Sequence, residues 1–349
     1  MLQRIDTLFK STGLCGAVLI SGFANIFYYS GFTSEDAFLM ITPEGHYIIT
    51  DSRYFVQAKL ECPDFELIDI KKGWEYVFSL TQSEQIYFEE ENLNYGMYLK
   101  LSEKAHGKEF VPAQTKINLP RQRKDKHELE IIKEAEKIGD DAFSYVLNRI
   151  HSGMREKDLA FELEMYMKKS GASGLSFDTI IASGVRSAMP HGVASDKEIE
   201  NGDLVTLDFG CRYKGYCSDM TRTVVIGKPE PKQREVYDIV LKAQTEAIKA
   251  IKLGVSCADI DKVARDIITE AGYGDNFGHS LGHSVGAEIH EMPAFSPKST
   301  DILHNGNVLS VEPGIYIDGW GGVRIEDLIA VCDGEIINLT ASPKELIEL

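Results

Sequence analysis

Hydrophobic positions near the N-terminus fall into short runs that are separated by turn residues. The runs GAVLIS, AFLMI and YIITD are rich in branched and aromatic side chains, which is typical of buried β-strands. Between such runs, residues 53–60 (RYFVQAKL) have the spacing of an amphipathic helix. Strands that alternate with helices predict a small α/β domain in this part of the chain.

The pattern changes at a polar, charged stretch over residues 119–130 (LPRQRKDKHELE), which we interpret as a linker running into the next helix. Apolar residues at helical spacing from Leu129 to Ile150 predict a long helix, and a shorter helix follows over residues 156–169 and ends near Gly171. The strand-like segments DTIIASG and LVTLDFG come next. We therefore predict two domains, residues 1–125 and residues 126–349.

The second predicted domain contains an approximate internal repeat. The segment GMREKDL from Gly153 matches GVSCADI from Gly254, and Gly171 matches Gly272, both at an offset of 101 residues. Further on, VTLDFG resembles LSVEPG at an offset of 104, which places Asp208 opposite Glu312. This order predicts two half-domains, each made of two helices followed by strands and related by a pseudo-twofold axis. The matched carboxylates are expected to share one site between the halves.

Four of the nine histidines lie in two compact segments, PHG around His191 and FGHSLGHSVGAEIHEMP. In the second segment, His279 and His283 have the spacing of a zinc-protease helix, but three nearby glycines disfavour a helix by ~1 kcal/mol each. We therefore predict an extended strand in which His279, His283 and Glu291 share one face. His290 would need a bulge or a bend to join them.

Carboxylates form two further pairs. Asp208 and Asp219 are separated as two neighbouring strands would place them, and Glu312 and Glu326 flank a glycine-rich segment. Four carboxylates and an imidazole form a hard ligand set that suits manganese, cobalt or iron better than a thiol-seeking metal. Two divalent cations would balance the four negative charges, and such metal pairs activate water for hydrolysis.

Composition narrows the function classes. The chain has 349 residues, of which 43% are hydrophobic and 26% charged, so a sizeable core can be buried. Its net charge of −17 argues against nucleic-acid binding and against anionic membrane surfaces. The six cysteines are scattered without a CxxC pair, which favours incidental roles over disulfides or zinc binding. Without a long apolar run or a signal-like start, we expect a cytoplasmic protein.

Five motifs of the second domain, in order, resemble those of the pita-bread metallopeptidases: SGVRSAMPHGVASD, LDFGCRYKGYCSDMTRT, GHSLGHSVGAEIHEMP, SVEPGIY and GVRIED. That family includes aminopeptidase P, prolidase, methionine aminopeptidase and the creatinases. In the first domain, NIFYYSGF and ITDSRYFVQA resemble the N-terminal domain that aminopeptidase P, prolidase and creatinase share. The resemblance implies an α/β (α+β) fold, with a small creatinase-like α/β domain followed by a pita-bread catalytic domain.

Matched motif by motif, the resemblance implies five metal ligands. They are Asp208, Asp219, His283, Glu312 and Glu326. The family pattern selects His283 rather than His279, because the ligand stands seven residues before the histidine of the HE pair. All five are present, which favours metal-dependent hydrolysis over creatinase chemistry and over a non-catalytic peptide-binding protein. The implied cofactor is a pair of divalent cations per chain, manganese foremost, with cobalt, iron or zinc as alternatives.

The resemblance also implies six catalytic or substrate-binding residues. Glu312 would act as the general base, and His191 and His290 would donate hydrogen bonds to the substrate and to its reacting carbonyl. His279 is expected to line the proline pocket, and Arg324 is expected to orient a carboxylate ligand. Tyr316 is expected to assist catalysis.

Two substrate classes follow from the resemblance. A dipeptidase must recognise the C-terminal carboxylate, which an arginine does well through bidentate contacts, and related prolidases resemble HExPR at this motif. Here the stretch is HEMPA, with Ala294 in the place of that arginine. We therefore expect an Xaa-Pro aminopeptidase that acts on proline-containing peptides, with an Xaa-Pro dipeptidase (prolidase) as the alternative. Family resemblance further suggests a homodimer.

Overall fold

The computed structural model covers residues 1–349, which divide into two compact units, Met1–Arg121 and Gln122–Leu349. The boundary thus lies slightly before the one expected at residue 125. The intervening segment packs with the second unit, because the amide of Lys124 donates to the carbonyl of Gly306 at 2.7 Å.

The first unit contains six helices and a six-stranded sheet. The helices are α1 (Leu2–Thr12), α2 (Phe23–Ser30), α3 (Phe55–Glu61), α4 (Trp74–Ser79), α5 (Tyr95–Lys104) and α6 (Gln114–Asn118). The strands are β1 (Ala17–Ile20), β2 (Ala37–Ile41), β3 (His46–Thr50), β4 (Glu66–Asp69), β5 (Gln85–Phe88) and β6 (Glu109–Pro112). They lie in the order β4-β3-β2-β1-β5-β6, and the three predicted strands and the predicted helix are confirmed.

Apolar side chains cover both faces of this sheet. Val18 of β1 packs in a core with Leu8 of α1, whereas its neighbour Leu19 packs in a second core with Trp74 and Phe78 of α4. Because successive residues of a strand point to opposite faces, an uninterrupted apolar run such as AVLI requires helices on both sides. The first unit is therefore a three-layer α/β domain.

The second unit contains four long helices and thirteen short strands. The helices are α7 (Lys126–Leu147), α8 (Glu156–Lys169), α9 (Pro231–Ala250) and α10 (Cys257–Glu270). The strands are β7 (Gly174–Leu175), β8 (Ile180–Ser183), β9 (Leu204–Phe209), β10 (Cys211–Tyr213), β11 (Tyr216–Cys217), β12 (Met220–Val225), β13 (Gly282–Ser284), β14 (Glu291–Phe295), β15 (Val308–Val311), β16 (Gly314–Ile317), β17 (Gly321–Arg324), β18 (Asp327–Cys332) and β19 (Glu335–Asn338). Two sheets position the predicted metal ligands, β12-β9-β8 and β14-β13-β15-β18-β19, and the two-stranded sheet β16-β17 carries Tyr316 and Arg324.

Helix α7 begins earlier than the sequence analysis placed it. Asp125 caps the helix and forms a capping box with Glu128, so residues 126–130, which we interpreted as part of a linker, are helical. Helix α8 spans the predicted residues 156–169. None of the helices is both long and apolar enough to traverse a lipid bilayer.

The two halves of the second unit repeat the same element order and the same backbone contacts. The amide of Gly153 donates to the carbonyl of Ile199 at 2.8 Å, and that of Gly254 donates to the carbonyl of Leu303 at 2.9 Å. The donors are offset by 101 residues and the acceptors by 104, as in the sequence repeat. Each half therefore has two helices followed by strands, as the repeat predicted.

The prediction of a single extended strand over residues 277–293 is wrong. The chain forms two short strands, β13 and β14, and bends through residues 285–290 between them. The pairing register of the two strands shifts between His283 and Ser284, which breaks the alternation on which the prediction depended.

Candidate metal centre

Two carboxylates of the first half are positioned by adjacent strands. Asp208 lies on β9, and Asp219 immediately precedes β12, which pairs with β9 so that Thr221 lies opposite Asp208. A Cβ at Gly210 would lie 2.0 Å from the carbonyl oxygen of Ser218, so only glycine permits this close approach of the two segments. The expected placement of Asp208 and Asp219 on neighbouring strands is confirmed.

The second half repeats this arrangement. Glu312 directly follows β15, and Glu326 directly precedes β18, which pairs with β15. A Cβ at Gly282 would lie 2.0 Å from the carbonyl oxygen of Ser310, so a second glycine allows β13 to approach β15. Both halves thus present carboxylates at equivalent strand ends.

Three of these carboxylates form a tight, buried cluster. Oxygen atoms of Asp208, Asp219 and Glu326 all lie within 4.8 Å of one another. Arg324 Nη2 donates to Asp208 Oδ2 at 2.6 Å, and Thr221 Oγ1 donates to Glu326 Oε2 at 2.8 Å. The other oxygens, Asp208 Oδ1 and Glu326 Oε1, are buried without any hydrogen-bond partner. Since buried polar atoms are almost always paired, these two oxygens fit ligands for a cation.

The ring of His283 is oriented for the same purpose. Its Nδ1 donates to the carbonyl of Ser284 at 3.2 Å, which leaves the lone pair of Nε2 available. Nε2 lies 3.5 Å from Asp219 Oδ2 and 3.4 Å from Glu312 Oε1. Neither ring nitrogen of His279 is available to these carboxylates, because Nδ1 lies 2.8 Å from the carbonyl oxygen of Ser280 and Nε2 lies 2.9 Å from the Tyr316 hydroxyl.

The electrostatics of the cluster also suit a cation. Burial raises the pKa of Asp219 and of Glu326 well above the usual range, and neighbouring carboxylates raise them further. Burial likewise raises the pKa of Glu312, against the influence of His279 and Arg324. Packed acids of this kind resist ionising together unless a positive charge is placed among them.

His279, Tyr316 and Arg324 form a hydrogen-bonded chain that ends on Asp208. His279 Nδ1 donates to the carbonyl of Ser280 at 2.8 Å, so its Nε2 accepts from the Tyr316 hydroxyl at 2.9 Å. The hydroxyl oxygen in turn accepts from Arg324 Nη1 at 2.8 Å. Burial lowers the pKa of His279 and raises that of Tyr316 to about 12. Both shifts favour the neutral side chains that this series of hydrogen bonds requires.

The five carboxylate and histidine ligands expected from the motifs all line one cavity of about 510 Å³. His191, His279 and His290 line it as well, together with Arg324 and Ala294. The His290 ring meets the His283 ring edge to face, with centroids 4.4 Å apart, because of the bend after β13.

Glu291 does not share a face with His279 and His283, which corrects the sequence analysis. It turns away from the cavity, and Lys124 Nζ donates to its Oε2 at 3.0 Å. The physical reason is the bend over residues 285–290, because after it the side chains no longer point to the sides of the strand that an unbroken alternation predicts.

Three residues that support the cluster escaped the sequence analysis. Ser310 Oγ accepts from the amide of His283 at 3.1 Å and donates to Glu312 Oε1 at 3.0 Å, and its place two residues before Glu312 was the available signal. Thr221 holds Glu326, as described above. Glu136 accepts from the amide of Asp219 at 3.2 Å, and burial raises its pKa to about 8. Nothing in the pattern of α7 distinguishes Glu136 from the helix's other acids.

Comparison with known proteins agrees with this geometry. Residues 130–333 match the model of metallopeptidase family M24, and residues 1–123 match the creatinase/prolidase N-terminal domain. The chain belongs to metallopeptidase family M24. The family resemblance, the fold class and the expectation of a metallo-exopeptidase are thereby confirmed, and the family implies divalent metal ions.

Several relatives of this M24 peptidase match it from end to end. An Xaa-Pro dipeptidase of Pyrococcus furiosus is 41% identical, over 99% of this chain and 100% of that protein. The structure of an Xaa-Pro dipeptidase from Bacillus anthracis is 42% identical, with a TM-score of 0.95 over 100% of this chain and 99% of that one. The structure of an X-Pro aminopeptidase from Thermotoga maritima is 40% identical, with a TM-score of 0.91 over 99% and 100%.

Proposed function

We propose that this M24 peptidase is an Xaa-Pro dipeptidase that hydrolyses the bond before proline in dipeptides. The observation that carries the proposal is the end-to-end similarity, in both domains, to proteins named Xaa-Pro dipeptidase. This similarity supports the dipeptidase better than the aminopeptidase that the HEMPA stretch led us to expect.

The ligand set Asp208, Asp219, His283, Glu312 and Glu326 would hold two divalent cations, manganese foremost. The orphaned oxygens Asp208 Oδ1 and Glu326 Oε1 and the free Nε2 of His283 support this assignment. When bound, the cations supply Lewis acidity toward the scissile carbonyl and a nucleophile from water at neutral pH.

The remaining steps use this chain's own residues. Glu312, partly exposed at the cavity wall, accepts the proton that the attacking water loses and delivers it to the leaving proline nitrogen. His191 and His290, which line the same cavity, donate hydrogen bonds to the substrate and stabilise the charge that develops on its carbonyl oxygen. Arg324 and Tyr316 hold Asp208 in place, and His279 presents its ring to the substrate while both of its nitrogens are engaged.

The second candidate function is that of an Xaa-Pro aminopeptidase. Ala294 lines the cavity and offers only a methyl group to a substrate carboxylate. The single arginine of the cavity wall, Arg324, already donates to Asp208 and Tyr316. The similarity to the T. maritima protein also favours this candidate.

A substrate panel separates the two. The protein, loaded with manganese, is assayed on Ala-Pro, Ala-Pro-Ala and Ala-Ala. For a dipeptidase we expect kcat/KM on Ala-Pro to exceed that on Ala-Pro-Ala by about tenfold or more, because the longer peptide removes a charge-assisted contact worth ~1.5–3 kcal/mol. Equal or faster cleavage of Ala-Pro-Ala would establish the aminopeptidase instead, and cleavage of Ala-Ala at the same rate would exclude both.

Metal content and assembly belong to the same proposal. We expect two cations per chain by elemental analysis, and a homodimer by light scattering. Metal reloading of chelated protein with manganese, cobalt, iron or zinc ranks the cations by activity, since hard oxygen-rich sites accept several of them. The cytoplasmic location and the lack of nucleic-acid or membrane partners stay predictions.

A further inference from the structure

A buried ion pair lies behind the bend that carries His290. Lys124 Nζ donates to Glu291 Oε2 at 3.0 Å, and the two side chains are 1% and 5% exposed. His290 lines the cavity, whereas Lys124 and Glu291 do not. The pair therefore lies outside the cavity wall, but it adjoins a residue of that wall.

The bend closes tightly around the carboxylate of Glu291. Glu291 Oε1 accepts from the amide of Glu288 at 3.1 Å, and a Cβ at Gly286 would lie 2.5 Å from Oε2. The carbonyl of Gly286 accepts from the amide of Cys217 at 2.8 Å, which ties the bend to the strand just before Asp219. The carboxylate of Glu291 thus packs against the backbone of the bend and hydrogen-bonds to it.

Lys124 is itself held at its backbone. Its amide donates to the carbonyl of Gly306 at 2.7 Å, and a Cβ at Gly306 would lie 2.7 Å from the carbonyl oxygen of Lys124. Gly306 has φ +88°, so both the conformation and the close approach require glycine there. The ammonium group therefore reaches Glu291 from a fixed base.

We propose that Lys124 is a positioning residue that acts through Glu291 and holds the bend so that His290 faces the substrate. A buried carboxylate that loses its cation must find another partner or a proton, and either change rearranges the backbone around it. The edge-to-face packing of His290 on His283 would then be lost. The inference rests on the proposed function for the role of His290, and on the contacts above for the role of Lys124.

The test compares Lys124→Met, Glu291→Gln and the double variant with wild type. With Ala-Pro as substrate, we expect each single variant to lower kcat by about ten- to hundredfold, with metal content unchanged and KM within about twofold, because a small misplacement of a catalytic group has that effect. The double variant should resemble the single variants, because the two residues act as one unit. Lys197→Met is the control, since it breaks a different ion pair of the second unit, the partly buried pair with Asp203, and should keep wild-type kcat.

A second measurement does not depend on activity. Hydrogen–deuterium exchange of residues 285–291 in the metal-free protein should be faster in all three variants than in wild type and in Lys197→Met. If Lys124→Met does not fold, both kcat and hydrogen–deuterium exchange are measured on the double variant, which buries no unpaired carboxylate.

Wild-type kcat and wild-type exchange in a folded, metal-loaded variant would overturn the proposal, and so would additive losses in the double variant. If wild type cleaves no Xaa-Pro substrate, the proposed function fails, and the exchange measurement still decides whether Lys124 holds the bend.

Discussion

A buried carboxylate of the first unit and the buried acidic cluster of the second unit differ in their hydrogen bonding. In the first unit, Glu89 is fully buried, and its oxygens accept from two backbone amides at 2.5 and 2.7 Å and from Asn25 Nδ2 at 2.6 Å. In the second unit, Asp208 Oδ1 and Glu326 Oε1 are just as hidden from solvent but have no partner. Burial alone therefore does not distinguish a structural acid from a functional one; the distinction lies in the hydrogen bonds left unmade.

The position of each acid explains the difference. The backbone amides that donate to Glu89 belong to Ser21 and Gly22, which directly precede α2. This carboxylate therefore supplies hydrogen-bond acceptors at the N-terminus of a helix. Asp208 and Glu326 lie at strand ends, where the neighbouring donors satisfy only one oxygen of each carboxylate. An acid with one oxygen held and the other left over is oriented for a ligand.

The largest expected effect comes from removing an orphaned oxygen. Asp208→Ala or Glu326→Ala should abolish peptidase activity and lower the metal content measured by elemental analysis, because each residue contributes to the shared cluster. Glu89→Gln is the matched control and should retain its metal. Two cations per chain in either alanine variant would contradict the ligand assignment.

The next effect separates catalysis from metal binding within the cluster. Glu312→Gln should keep the fold and lower kcat by about 10²- to 10⁴-fold, the usual contribution of a general base. Steady-state kinetics on Ala-Pro together with circular dichroism would measure both. A variant that turns over like wild type would show that another group takes the proton.

A third prediction concerns the sign of the stability change in the metal-free protein. Glu326→Gln should raise the Tm after chelation, because it removes the cost of burying an ionisable carboxyl group among other acids and keeps an acceptor for Thr221. Glu89→Gln should lower the free energy of unfolding by about 1–3 kcal/mol, because its amide group would face Asn25 Nδ2, donor against donor. If both substitutions changed the stability of the metal-free protein in the same direction, Glu89 and Glu326 would not differ as a structural and a functional acid.

The smallest expected effect is a pH dependence in the first unit. Burial raises the pKa of Glu89 despite its hydrogen bonds. A raised pKa in the folded state means that Glu89 contributes most to stability below its unfolded pKa of about 4.3 and that the contribution falls as pH rises through the folded pKa. The stability difference between wild type and Glu89→Gln should therefore narrow with rising pH, in denaturant titrations from pH ~4 to pH ~8. A constant difference would show that burial does not perturb this carboxyl group.

Local patterns predicted much of the fold. The short apolar runs of the first unit became β1, β2 and β3, and the helix over residues 156–169 was found with its bounds. These predictions succeed because strand and helix periodicities are properties of neighbouring residues. The internal repeat likewise placed Asp208 and Glu312 at equivalent strand ends, since both halves use the same local pattern.

Predictions that needed a bend failed. Periodicity placed Glu291 beside His279 and His283, but the turn after β13 reversed its direction. A period-two pattern assumes a continuous strand, and a single shift of register invalidates it for every later residue. The start of α7 was missed for a similar reason, because polar residues that look like a linker supply the helix cap.

By itself, the sequence determined the element pattern, the repeat and the motifs that identify an M24 peptidase. Only the tertiary structure decided which buried acids are satisfied. Lys124 and Glu291 are 167 residues apart, and Glu136 meets Thr340 across 204 residues, so no local pattern could pair them. A hydrogen bond depends on distance and angle between specific atoms, and those are set only once the chain has folded.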